Sequence, residues 1–153
     1  HQQKDESAYS TDPSTLIRQQ RLQRRYQQKQ RKLSTDRSVR TIADLLLDYG
    51  AEPEAVDADG NTPLLTAAAA GGAALCELLL ERGANSRATN FFGSSALFVA
   101  VTGDNPADNC ACARVLLDAG ADPNESRPDG AVALHMSAHS GHSEVLENLL
   151  QHG

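Results

Sequence analysis

The chain has 153 residues, 40% of them apolar and 4% aromatic, which is enough for one domain with a core of its own. No stretch approaches the ~18 apolar residues of a membrane-spanning helix and nothing resembles a signal peptide, so no membrane partner is expected. The net charge of −6 is unevenly spread. Residues 1–40 hold 10 of the 14 Lys and Arg against 4 acids, a balance of +6, and residues 41–153 hold 4 against 16, a balance of −12. A basic arm therefore precedes an acidic body. Three cysteines, Cys76, Cys110 and Cys112, cannot all pair within one chain, which favours a reducing compartment. The chain opens on His1 and stops at Gly153 straight after an apolar run, so it reads as a piece of a longer protein.

Residues 1–13 are polar and expected to be disordered. Residues 14–34 are expected to form a helical arm, since Asp12, Ser14 and Thr15 offer caps and Arg, Gln, Lys and Leu favour helix. Its stretch "RQQRLQRRYQQKQRK" (18–32) carries seven basic residues: Arg18, Arg21, Arg24, Arg25, Lys29, Arg31 and Lys32. Leu22, Tyr26 and Leu33 give it only a thin apolar stripe. Four readings stay open: a long first helix capping the body, a basic segment folded over the acidic body, a ligand for an acidic partner such as a nucleic-acid backbone, and a nuclear-import signal. The stretch "LQRRYQQKQRK" suggests a calmodulin site, but Gln27 stands where a basic residue belongs. Ser34 follows "RKL", a context similar to that of basophilic kinase substrates, and a phosphate there would weaken docking of the arm.

The body, 35–153, is periodic. Glycines closing apolar runs fall at 50, 83, 120 and 153, spaced 33, 37 and 33, and a second series falls at 60, 93 and 130. This divides it into a partial unit, 35–56, and units of about 57–89, 90–126 and 127–153. Each full unit opens with a polar, glycine-bearing turn, runs a short helix, turns, runs a second apolar helix and closes on Gly. Thr62 is placed to cap the first helix with Pro63 at its first position, where a missing N–H costs nothing. Small Ala67 and Ala68 permit close stacking beside Leu64, and Leu75, Leu78 and Leu79 bury the second helix. Gly71 is expected to make the turn between the two helices. The middle unit carries a four-residue insertion in or beside "GDNPAD" (103–108), read as a loop extension at that turn or an enlargement of the groove rim.

These units resemble the ankyrin repeat family over roughly 57–153, with the end of an earlier repeat in "RTIADLLLDYGAEPE" (40–54). The resemblance implies an all-α solenoid of helix-turn-helix units joined by short hairpin loops, here preceded by a basic N-terminal helix. The middle and last units depart from the family pattern, having "SSALF" and "AVALH" where the family usually shows Thr-Pro-Leu-His; only His135 occupies the histidine position, and its unit lacks the Thr and Pro, so weaker turn order is expected there.

The resemblance also implies where a partner would touch. On the hairpin tips these positions are Asp59 and Asn61, then Phe91, Phe92 and Ser94, then Asp129. On the first helices they are the bare Ala69 and Ala70, then Thr102, then His139 and Ser140, with Asp104 at the insertion. Phe91 and Phe92 are the strongest departure from the usual polar tips: one of them serves as an aromatic anchor, or tucks against the adjacent hairpin. Asn124, two residues after Asp122, resembles the setting in which ankyrin asparagines are hydroxylated.

"HMSAHSGH" spaces His135, His139 and His142 along one face, yet Met136 stands where a zinc protease needs Glu, and Gly141 interrupts the helix. Cys76 and Cys112 read as small core residues. No phosphate loop, dinucleotide fingerprint or nucleophile elbow is present, so neither an enzyme nor a cofactor is expected. The sequence thus reads as a non-enzymatic interaction module, cytoplasmic or nuclear, adaptor or regulatory in role, for a basic or mixed-charge protein. The alternative is a nucleic-acid-associated protein that binds through 18–32.

Overall fold

The computed structural model describes residues 13–103 and 105–153. Residues 1–12, where disorder is expected, and Asp104 lie outside it, as do the side chains of residues 13–16, 18, 19, 22, 26 and 29–36. The described residues form seven helices: α1 (Pro13–Asp48), α2 (Pro63–Ala69), α3 (Ala73–Glu81), α4 (Ala96–Val101), α5 (Pro106–Asp118), α6 (Ala133–Ser140) and α7 (Ser143–His152). The chain divides into two units, His1–Thr35 and Asp36–Gly153.

The first unit holds the basic part of α1. Pro13 opens the helix, and neither Gly nor Pro recurs before Gly50, so nothing ends it at residue 34 and it runs on to Asp48. Ile17, Arg21, Arg24 and Arg25 are exposed along it.

In the second unit, α2, α4 and α6 stack as an inner row and α3, α5 and α7 as an outer row. Ala67 and Ala68 of α2, Ala96 and Ala100 of α4, and Ala133 and Ser137 of α6 are all buried, and their small side chains allow the inner helices to close on one another. Leu64, Leu65, Leu97, Leu116, Val101 and Val145 are buried to below 2% exposure and join the rows into one core. Gly71 and Gly141 turn the chain between paired helices at φ of 73° and 70°. Gly83 and Gly120 end the outer helices at 92° and 86°, a left-handed conformation that costs other residues about 1–2 kcal/mol.

Local capping explains how the units tolerate different sequences. Thr62 Oγ1 accepts from the Leu65 N–H at 3.3 Å, and Pro63 takes the first helical position. Ser95 Oγ does the same for the Phe98 N–H at 3.3 Å, so the middle unit keeps its cap despite losing Thr-Pro. In the last unit the Val132 side chain offers no acceptor. The Val132 N–H instead donates to His135 Nδ1 at 3.2 Å, and the helix N-terminus has no side-chain cap.

The four extra residues of the middle unit are helical rather than a loop. α5 has 13 residues where α3 has 9. Asn105 caps it by accepting from the Ala107 N–H at 3.2 Å, and Pro106 starts it. Two side chains of the added turn reach inward. Asn109, 2% exposed, donates from Nδ2 to the Gly103 carbonyl at 2.7 Å, and Asp108 lies against Gly71 of the preceding unit, where a Cβ would meet it at 2.8 Å.

Candidate interaction surface

The hairpins between units are built from turn chemistry repeated three times. In the first, the Asp57 N–H donates to the Asn61 carbonyl at 3.1 Å and Asp57 Oδ1 accepts from the Asp59 and Asn61 N–H groups at 2.9 Å. Asn61 Nδ2 donates to Asp57 Oδ2 at 3.0 Å, and these bonds, with the Asn61 side chain foremost, hold the Asp57 carboxyl below the usual aspartate value. In the second, Asn90 replaces Asp57 and its Oδ1 accepts from the Phe92 and Ser94 N–H groups at 3.1 and 3.0 Å. In the third, Arg127 holds that position and cannot accept, so Asp129 Oδ1 takes the Ala131 N–H at 3.0 Å.

Adjacent hairpins interlock. The Phe91 N–H donates to the Asp59 carbonyl at 3.0 Å, and Asn90 Nδ2 donates to Asn61 Oδ1 at 2.9 Å. Phe91 rests over Gly60, and Pro128 rests over Gly93 in the same manner one unit later. Arg127 lies 5.2 Å from the centre of the buried Phe98 ring and its Nε reaches the Phe92 carbonyl at 3.5 Å. The result is a rigid row of tips.

Both aromatic rings remain available on that row. Phe91 is 75% exposed even though one edge covers Gly60, and Phe92 is 58% exposed. Asp59 and Asp129 are exposed on either side and Asn61 is half-buried. Ser94 departs from expectation: it is 6% exposed, its N–H held by Asn90 Oδ1 and its carbonyl accepting from the Asn90 N–H, and so it belongs to the hairpin's framework. At the ends of the inner helices, Ala69, Ala70, Thr102, His139 and Ser140 are exposed, with Thr102 Oγ1 donating to the Val99 carbonyl. Asn124 is exposed, while Asp104 and the side chains of Arg18, Lys29, Arg31, Lys32 and Ser34 lie outside the described residues.

The histidines do not converge. His135 Nδ1 is engaged at the start of α6, His139 is exposed near its end, and Gly141 at φ 70° turns the chain before His142. No group of three metal-binding side chains occurs among the described residues, and no described helix is long and apolar enough to cross a membrane.

Paired antiparallel helices stacked in two rows and joined by interlocked, glycine-tipped hairpins define a helical repeat solenoid. A family model described as ankyrin repeats in three copies matches residues 35–127, and another, ankyrin repeats in many copies, matches residues 107–150. The chain belongs to the ankyrin repeat family. E3 ubiquitin-protein ligase KEG of Arabidopsis thaliana is 32% identical over 122 residues, covering 79% of this chain and 7% of that protein. Protein fem-1 homolog A of Homo sapiens is 44% identical over 55 residues, covering 36% of this chain and 8% of its own length, and its Rattus norvegicus counterpart matches to the same extent. The chain thus spans less than a tenth of these relatives.

Proposed function

We propose that this chain is a non-catalytic protein-binding module that grips its partner through the hairpin row, with Phe91 and Phe92 as anchors and Asp59 and Asp129 beside them. Ankyrin repeats in general mediate protein–protein interaction. The observation that carries the reading is the pair of exposed rings on a hairpin fixed by side-chain and backbone bonds. Aromatic side chains held rigidly lose little entropy on binding and dominate interface energetics. The partner is a protein with an apolar pocket rimmed by basic or mixed charge, since acids outnumber bases 16 to 4 in residues 41–153. An adaptor or regulatory role in the cytoplasm or nucleus fits this reading.

A second reading rests on Arg21, Arg24 and Arg25, which stand exposed on α1 in a run of seven basic residues. In it the arm holds a nucleic-acid backbone and the repeats are scaffold. One affinity capture separates the two, using the chain, its Phe91→Ser/Phe92→Ser variant and its Arg21→Gln/Arg24→Gln/Arg25→Gln variant. Partners lost only with the phenylalanines support the hairpin reading. Partners lost only with the arginines, and released steeply by salt, replace it with the second.

A further inference from the structure

The end of α1, residues 36–48, has the sequence of an outer helix. At the repeat spacing of 33, Ile42, Leu45 and Leu46 correspond to Leu75, Leu78 and Leu79. Leu78 and Leu79 are each 3% exposed because α2 covers α3, whereas Leu45 and Leu46 are 52% and 58% exposed and Ile42 is 59% exposed. Among the described residues, no inner helix pairs with this outer one.

The same gap shows on α2. Pro63, Thr66 and Ala70 correspond at that spacing to Ala96, Val99 and Gly103. Ala96 is buried and Val99 and Gly103 half-buried, whereas Pro63 is half-buried and Thr66 and Ala70 are exposed. A groove of about 500 Å³ opens there, bounded by Ala55, Val56, Asp57, Pro63, Thr66 and Ala70. A cavity of about 160 Å³ beside it continues to Val39, Gly72 and Ala74. Among the described residues no helix fills this seat, and one placed there would cover both the bare leucines of α1 and the groove on α2.

We propose that this vacant inner-helix seat binds a short amphipathic helix of another protein, apolar on the face that enters and basic at its flanks. The shape follows from continuity with the α2–α4 and α4–α6 interfaces, in which an inner helix lies against the same positions one unit later. The charge follows from the border. Between Arg40 and Arg82 the chain has eight carboxylates and no Lys or Arg. Arg40 pairs with Glu77 and Glu81, and Arg82 with Asp44 and Asp48. Among the described residues no ion pair engages Glu52, Glu54, Asp57 or Asp59, and they bracket the groove-lining Ala55 and Val56 in the chain. The small floor of Ala67, Ala70 and Gly72 admits close approach of a helix backbone.

The test is an NMR titration of the full ¹⁵N-labelled chain with two stapled helical peptides. Both carry the α2 sequence Pro63–Ala69, one flanked by lysines and the other by glutamates. The lysine peptide is expected to perturb residues 39–46, 55–57 and 63–75, and the glutamate peptide to bind at least about tenfold more weakly. Added salt should weaken the lysine peptide by about severalfold. Leu46→Arg and, separately, Thr66→Arg should each abolish binding with circular dichroism unchanged. Thr66 is already exposed, so that variant retains its fold if Leu46→Arg does not. Phe91→Ser/Phe92→Ser should leave binding intact, which keeps this proposal distinct from the hairpin reading. No perturbation at millimolar peptide, equal affinity for both peptides, or binding that survives both arginine variants would overturn it. So would concentration-dependent shifts at the same residues without peptide, which would make a second copy the occupant.

Discussion

The Phe91 ring occupies the place where a side chain on Gly60 would begin: a Cβ there would lie 2.6 Å from a ring carbon. Gly60 also has a φ of 80°, so it is held to glycine by conformation and by its neighbour. Gly60→Ala should therefore lose roughly 1–2 kcal/mol from backbone strain alone and displace the ring as well. Gly83→Ala, at φ 92° with nothing within 4 Å, should show the conformational cost only. Urea unfolding of both variants measures the difference, and Phe91→Ala introduced into Gly60→Ala should recover the excess. Equal costs for the two glycines would mean that the ring swings aside freely.

The added turn of α5 is tied down by one buried amide. Asn109 is 2% exposed and its Nδ2 satisfies the Gly103 carbonyl at 2.7 Å. Asn109→Leu keeps the branching of the side chain but removes the donor and strands that carbonyl, at a cost of about 1–3 kcal/mol. Ala107→Ser on the exposed side of the same turn should change stability by less than about 0.5 kcal/mol. Chemical denaturation of the two variants reads this directly.

Glycine spacing was legible because a left-handed turn excludes nearly every other residue, and all six glycines at 50, 60, 83, 93, 120 and 130 have positive φ. Capping was legible at Thr62 and Pro63 for a similar reason. The helical character of the insertion was not read from the sequence, although Asn105 followed by Pro106 is a cap and a first helical residue, and that signal was available. Burial was harder to foresee. Leu45 and Leu46 share the pattern of Leu78 and Leu79, so periodicity alone cannot tell a covered face from a bare one. Ser94 stands at a polar tip in sequence, yet its hairpin bonds turn it inward. The exposed rings of Phe91 and Phe92 were conspicuous in sequence because such tips are ordinarily polar.

Cys76 and Cys112, each 0% exposed, belong to the core shared by neighbouring units. The contact with Cys112, and burial after it, pushes the Cys76 thiol up, while burial foremost and Glu144 next raise Cys110. A neutral thiol is a poor nucleophile. Native protein at neutral pH should therefore react with a thiol reagent far more slowly than a free cysteine, and all three thiols should react at once in denaturant. Rapid labelling of the native chain would show that the outer helices open readily. Cys112→Ser places a hydroxyl in that core and should lower stability by about 1–3 kcal/mol.

Asp57 and Asn90 hold the same place in successive hairpins, and only one of them titrates. Asp57 is held below the usual aspartate value of 3.8 by the bonds it accepts from Asn61, so its ionised form favours the folded hairpin. That contribution is present in full above the unfolded-state value and is lost as pH falls through the folded-state one. Asp57→Asn keeps the two turn bonds, as Asn90 shows with its acceptor distances of 3.1 and 3.0 Å. It loses the bond from Asn61 Nδ2, because Asn61 Oδ1 is already engaged by Asn90 Nδ2 and the Asn61 amide cannot reverse without breaking it. The variant should therefore be less stable than the parent at neutral pH, with the gap closing as pH falls below about 4, the unfolded-state value, and through the lower folded-state one. Thermal melts across that range, with the Asp59 and Asn61 amide shifts followed in parallel, check both parts. If the gap stays constant down to acid pH, the charge on Asp57 contributes nothing and hairpin order comes from the neutral turn bonds alone.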